Sequence, residues 1–87
     1  MYGNQYRYTI EVSNEETGVY ETVAMVNEPY DALPLREMYK SFRVVIFRQN
    51  EKQIYVRGEF IEVELTGTSQ EQTLQLVRVL NILADKA

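Results

Sequence analysis

The feature that most constrains this chain is a change of period near residue 66. Before it, outside one proline-containing connection, apolar residues recur at every second position in strand-like runs. After it, Thr73, Leu76, Val77, Leu80, Leu83 and Ala84 recur at helical spacing. A single long helix with one apolar stripe can cover one face of one sheet. The pattern therefore implies an α+β class, a small antiparallel sheet with the C-terminal helix packed on one face. The 87 residues suffice for one domain, 1–87, with a thin core of its own.

The strands can be placed from the alternation. Tyr6, Tyr8, Ile10 and Val12 share one parity and Arg7, Thr9 and Glu11 the other, as in a strand with one wet face. "SNEETG" reads as a turn ending in Gly18, so Val19–Val26 is expected to return as the second strand of a hairpin. This second strand has apolar residues on both faces and is expected in the sheet interior. "EFIEVEL" alternates again, with Glu62 and Glu64 on one side and Ile61, Val63 and Leu65 on the other.

Between the hairpin and the next strand lies "NEPYDALPLREMYKSF", where Pro29 and Pro34 end any strand. Leu35, Met38, Tyr39 and Phe42 have i, i+3, i+4, i+7 spacing, and a short helix with Pro34 in its first turn is expected. A second hairpin follows, "FRVVIFR" and "QIYVR" around "QNEK". A two-residue turn at Asn50-Glu51 would set Phe47 opposite Ile54 and Val45 opposite Val56 on the core side. Phe42, Arg48, Tyr55 and Arg57 then belong to the other side. Parity changes after Gly58, and a bulge there would account for it.

The charge is unevenly spread. Net charge is −4, yet Arg36 to Arg57 holds six cations (Arg36, Lys40, Arg43, Arg48, Lys52, Arg57) against two anions, and the remainder three cations against eleven anions. Aromatic rings beside cations are the elements of single-stranded nucleic-acid binding, so Phe42, Arg48, Tyr55 and Arg57 form a candidate binding face. The competing expectation is that these cations answer carboxylates in the same sheet: Glu62 and Glu64, or Glu11 and Glu21. A net acidic chain would also repel a polyanion at long range.

Chemistry at a catalytic centre is not expected. The chain has no His and no Cys, which removes thiol chemistry, disulfides and nearly all zinc, haem and iron–sulfur sites, so no metal or cofactor is expected. Ser13, Ser41 and Ser69 lack an imidazole base, and Lys40 beside Ser41 points elsewhere on any regular element. Glu62 and Glu64 would stand about 6.5–7 Å apart, but any exposed E-x-E strand gives that spacing. No run has signal-peptide or membrane-span character, so the expectation is a cytoplasmic chain with no membrane contact.

Surfaces remain as the route to function. On the terminal helix, Leu74 and Ile82 fall inside the polar arc of Gln70, Glu71, Gln75, Arg78, Asn81 and Asp85, with Val79 at its edge. Leu74, Val79 and Ile82 are therefore candidates for self-association, most simply into a homodimer. The expected function is a small non-enzymatic binding protein, an adaptor, regulator or inhibitor whose partner is another protein. Single-stranded nucleic-acid binding and a structural role in a larger assembly are the alternatives.

Overall fold

In the computed structural model, which describes residues 6–86, the elements run β1 (Tyr6–Ser13), β2 (Tyr20–Val26), a 3-10 segment (Pro29–Glu37), β3 (Ser41–Gln49), β4 (Tyr55–Glu64) and α1 (Ser69–Lys86). The strands form one antiparallel sheet in the order β2-β1-β3-β4. The α+β architecture expected from the change of period is what the chain adopts.

Local chemistry explains the turns. Asn14 closes the first hairpin: its side-chain oxygen accepts from the backbone N–H groups of Glu16 and Thr17 at 2.9 and 3.3 Å. Gly18 takes φ +74°, a conformation that costs glycine little. β2 is an edge strand, not an interior one. Its register against β1 slips by one residue at Val23, and Val19, Val23 and Met25 stay exposed while Ala24 and Val26 turn to the core. Strand period reports alternation of faces and carries no information on strand order.

The connection is 3-10, not α. Proline lacks the N–H that an α-helical ladder needs at its interior, and Pro34 lies mid-segment. Met38 is 71% exposed, and Phe42 belongs to β3, so the four-residue helical stripe read from the sequence does not form. The segment still closes the fold, since Ala32, Leu33 and Leu35 join the core. Arg36 Nε donates to Thr73 Oγ1 at 3.0 Å and Lys40 Nζ to Gln72 Oε1 at 2.7 Å, tying it to α1.

The helix begins with a reciprocal cap. Glu71 N–H donates to Thr68 Oγ1 and Thr68 N–H to Glu71 Oε1, both at 3.2 Å. Leu76, Leu80 and Leu83 then bury completely against Tyr8, Ile10, Phe42, Val44, Ile46 and Val63 of the sheet. Each such side chain contributes about 1.5–3 kcal/mol by leaving water. Helix and 3-10 segment lie on the same side, and the opposite face of the sheet carries neither.

Candidate functional site

That opposite face is built from rows of residues directly opposite one another in the register, which share a face. Arg7, Phe47 and Arg57 form one row. Met25, Thr9, Val45 and Phe60 form the next, followed by Thr22, Glu11, Arg43 and Glu62. Tyr20 and Ser13, with Ser41 and Glu64, stand at one end. Tyr55, opposite Gln49, stands at the other.

Glu11 is the centre of this face. It is 6% exposed although no second layer among the described residues covers it. Arg57 chelates its carboxylate, Nη1 to Oε2 at 2.8 Å and Nη2 to Oε1 at 3.0 Å, while Arg43 Nε donates to Oε1 at 2.8 Å. Hydrogen bonds from Arg57 above all, then from Arg43, hold the Glu11 carboxyl down to about 2, against the upward push of burial. The same contact raises the Arg57 guanidinium above its ordinary value.

Aromatic rings fix the guanidinium groups in turn. Arg43 lies over the Tyr20 ring at 3.6 Å from the centroid and 4.8 Å from that of Phe60. Arg7 lies over Tyr55 at 4.3 Å, and its Nη1 reaches the Met25 sulfur at 3.9 Å. Contacts of this kind contribute roughly 0.5–1 kcal/mol each where water still reaches them. Beneath the layer Val45 is fully buried and Thr9 nearly so, and the Thr9 hydroxyl has no hydrogen-bond partner among the described residues.

The structure divides the four residues read as one binding face. Phe42 is buried in the core beneath the helix, 3% exposed. Arg48 pairs with Val56 on that same side, its guanidinium 5.7 Å from the Tyr6 ring centroid. Tyr55 and Arg57 are on the open face, with Phe47 and Val45. The cause is the β3–β4 loop, which runs over residues 50–54 and is not a two-residue turn. Asn50 organises it, its side-chain oxygen accepting from Lys52 and Ile54 N–H at 2.9 and 3.0 Å, with Gln53 at φ +63°. Three extra residues of offset exchange the faces of β4 relative to β3, and Ile54 leaves the expected core. The bulge at Gly58 forms as expected. Val45 pairs with Phe60 and Phe47 with Arg57, leaving Gly58 and Glu59 opposite Ile46, where a Cβ on Gly58 would stand 3.1 Å from the Ile46 carbonyl oxygen.

Of the self-association candidates, Leu74 and Ile82 are exposed, and Val79 packs against the core instead. Sequence reasoning missed Arg7, Tyr20, Met25, Arg43 and Phe60 as members of the site. From sequence, Glu11 is only one of several acids that could answer the basic hairpin. The signal available was the odd parity of β1, where Arg7, Thr9 and Glu11 alternate with core residues.

The open face carries unlike charges toward its two ends. At the Ser13 end a shallow cleft of about 80 Å³ is lined by Ser13, Tyr20, Ser41, Phe42, Glu62, Val63 and Glu64. Arg43, the cross-strand neighbour of Glu62, is turned to Glu11, and neither Glu62 nor Glu64 makes a salt bridge among the described residues. At the other end Arg7 has no carboxylate partner among them. No three potential metal-ligating side chains come together among the described residues, and no described helix is long and apolar enough to cross a membrane. Comparison with protein-family models, with curated proteins and with solved structures gave no match.

Proposed function

We propose that this chain is a small cytoplasmic binding domain that acts through protein–protein contacts and does no catalysis of its own. The observation that carries the reading is the open sheet face. Phe60, Met25 and Tyr20 are 46%, 58% and 38% exposed there, interleaved with Arg7, Arg43 and Arg57. Tyr, Phe, Met and Arg are the residues enriched where proteins dock, and large side chains held in place lose little entropy on binding. The Glu11 brace supplies that preorganisation. A partner of matching chemistry presents an apolar centre with an acid toward Arg7 and Arg57 and a base toward Glu62 and Glu64.

The same geometry weighs against a single-stranded nucleic acid as the ligand. Bases stack on free ring faces, and here guanidinium groups of the chain itself lie over Tyr20 and Tyr55. Two of the arginines share a buried carboxylate, which lowers the charge left for phosphate. The cleft beside the face is too small for the ligands that usual small-molecule sites enclose.

The test is retention of protein from a nuclease-treated native lysate by tagged wild-type chain and by Phe60→Asp, with circular dichroism as the folding control. The expected result is a discrete retained protein, the chain's own untagged copy included, that is lost with Phe60→Asp. Retention by the wild type that disappears on nuclease treatment, or direct oligonucleotide binding at low salt, would overturn the reading.

A further inference from the structure

We infer that the occupant of the open face is a second copy of this chain, docked face to face about a two-fold axis that runs across the strands. The inference rests on the protein-docking reading above and names its partner. The face is antisymmetric in charge along the strands and apolar in the middle. Arg7 and Arg57 occupy one row. Glu62 lies two rows further along β4 and Glu64 beyond it. At about 3.3 Å per residue these acids stand roughly 13 and 20 Å from the arginine row. Between the two ends lies the Met25–Thr9–Val45–Phe60 row.

A two-fold axis lying in the face, over that middle row, maps each strand onto itself with its direction reversed. Phe60 then meets Phe60 of the second copy, and Met25 meets Met25. Glu62 falls over Arg57 of the second copy, and Glu64 falls toward the end of the face that carries Tyr55 and the Lys52 loop. Arg43 falls over Phe47. The Glu62–Arg57 pairing forms twice, because an isologous contact repeats every pair. The other two-fold in the plane of the face, along the strands, keeps each row over its own copy and reverses the strand order, so Glu62 falls over Thr22 and the acids never reach the arginine row of the second copy. Sheets packed at about 10 Å with nearly aligned strands accommodate side chains of this size.

Two features of the single chain fit such an occupant. Glu62 and Glu64 at one end make no salt bridge among the described residues, and the two-fold sets the basic end of the second copy over them. Arg7 at the other end has no carboxylate partner among them. The apolar side chains that remain exposed on this face, Phe60 and Met25, cluster on the axis row and leave the charged ends free of them, apart from Tyr20. That is the arrangement of an apolar centre within a polar rim.

Sedimentation velocity over roughly 2 to 200 µM, the range where contacts of this size commonly dissociate, tests the arrangement with two charge-reversed variants. One carries Glu64→Lys, the other Lys52→Glu, the two side chains that the two-fold brings to the same end of the contact. Neither touches the Glu11 brace. Wild type is expected to sediment as a dimer at the upper concentrations. Each variant alone should self-associate about tenfold more weakly or worse, and an equimolar mixture should dimerise again, since both ends are then complementary. A monomeric wild type overturns the inference. So does a dimer that survives in both variants, or one broken by Leu74→Asp with Ile82→Asp while the charge reversals leave it intact. A mixture of two folded variants that fails to associate overturns the two-fold arrangement. A monomeric wild type that still retains a lysate protein through Phe60 overturns the self-pairing and leaves protein docking standing; loss of both removes the two together.

Discussion

The two faces of the sheet are dried by different means. On one, Tyr8, Ile10, Val44, Ile46 and Val63 lie under a second layer, the leucines of α1 and Ala32 of the 3-10 segment. On the other, Thr9, Glu11 and Val45 are as well buried with no layer above them among the described residues. Their cover is lateral: guanidinium groups and aromatic rings of neighbouring strands lie flat across them, held by Glu11 from below and by ring stacking from the side. Long cationic side chains can shelter apolar surface along their stems while the charged head stays wet. The first face converts burial into stability. The second spends fewer apolar contacts and leaves an ordered, amphipathic surface that another molecule can use.

The largest break in this comparison comes from the covered face. Leu80→Ala removes a fully buried side chain from beneath the sheet and leaves a cavity. A loss of about 2–5 kcal/mol is expected in urea unfolding. In a core this thin the site has little freedom to collapse, so about 3 kcal/mol is the expectation. Phe60→Ala on the open face removes a larger ring yet should cost under about 1 kcal/mol, because that ring is already 46% in water. If the two costs are equal, the open face is a second core and not a surface.

How much of this could be read in advance follows the same division. The covered face was legible wherever period alone decides: Tyr8 and Ile10 in β1, Ile61 and Val63 in β4, and the α1 stripe. The bulge at Gly58 was legible because parity changes within one strand. The open face was not, because its make-up depends on relations between strands. Whether Tyr55 stands with Phe47 or with Ile46 is set by the loop, and Asn50 bonding its own downstream backbone lengthened that loop from two residues to five. Whether Glu11 meets Arg43 and Arg57 is set by strand order, with β1 beside β3. Neither relation leaves a mark in the spacing of one strand.

A smaller break, and one with its own signature, is removal of the brace. Glu11→Ala should destabilise by about 2 kcal/mol, less than the 3–5 found when a fully buried pair loses one partner, because Arg57 and Arg43 retain side-chain exposures of 43% and 18% and can be rehydrated. The faces should then separate by pH. The Glu11 carboxyl is depressed from 4.5 to about 2 on folding, so its contribution is fully present above the unfolded value and is lost as pH falls from about 5 towards 2. By that shift the loss reaches roughly 3 kcal/mol at most. Urea midpoints measured down this range should fall less steeply for Glu11→Gln than for wild type. Leu80→Ala should lower stability with the wild-type slope, since no titrating group is involved. An unchanged acid slope in Glu11→Gln would mean that the carboxylate and its arginines form no stabilising unit.

The smallest effect concerns Thr9, and its sign is what matters. The hydroxyl lies in the middle row of the open face, 4% exposed as a residue, with no hydrogen-bond partner among the described residues. A buried hydroxyl without a partner carries a desolvation cost with no bond to offset it. Thr9→Val replaces it with a methyl of nearly the same shape among Met25, Val45 and Phe60, so the chain should become more stable by about 0.5–1 kcal/mol. On the covered face the same exchange of polar for apolar has no counterpart in the core cluster, whose sheet residues are apolar or, as in Tyr8, carry the hydroxyl at the end of a ring. Thermal or urea unfolding of the variant decides it: a loss of stability would show that the hydroxyl is satisfied in solution, and the lateral cover would then be wetter than the geometry of Arg7, Arg43 and Arg57 implies.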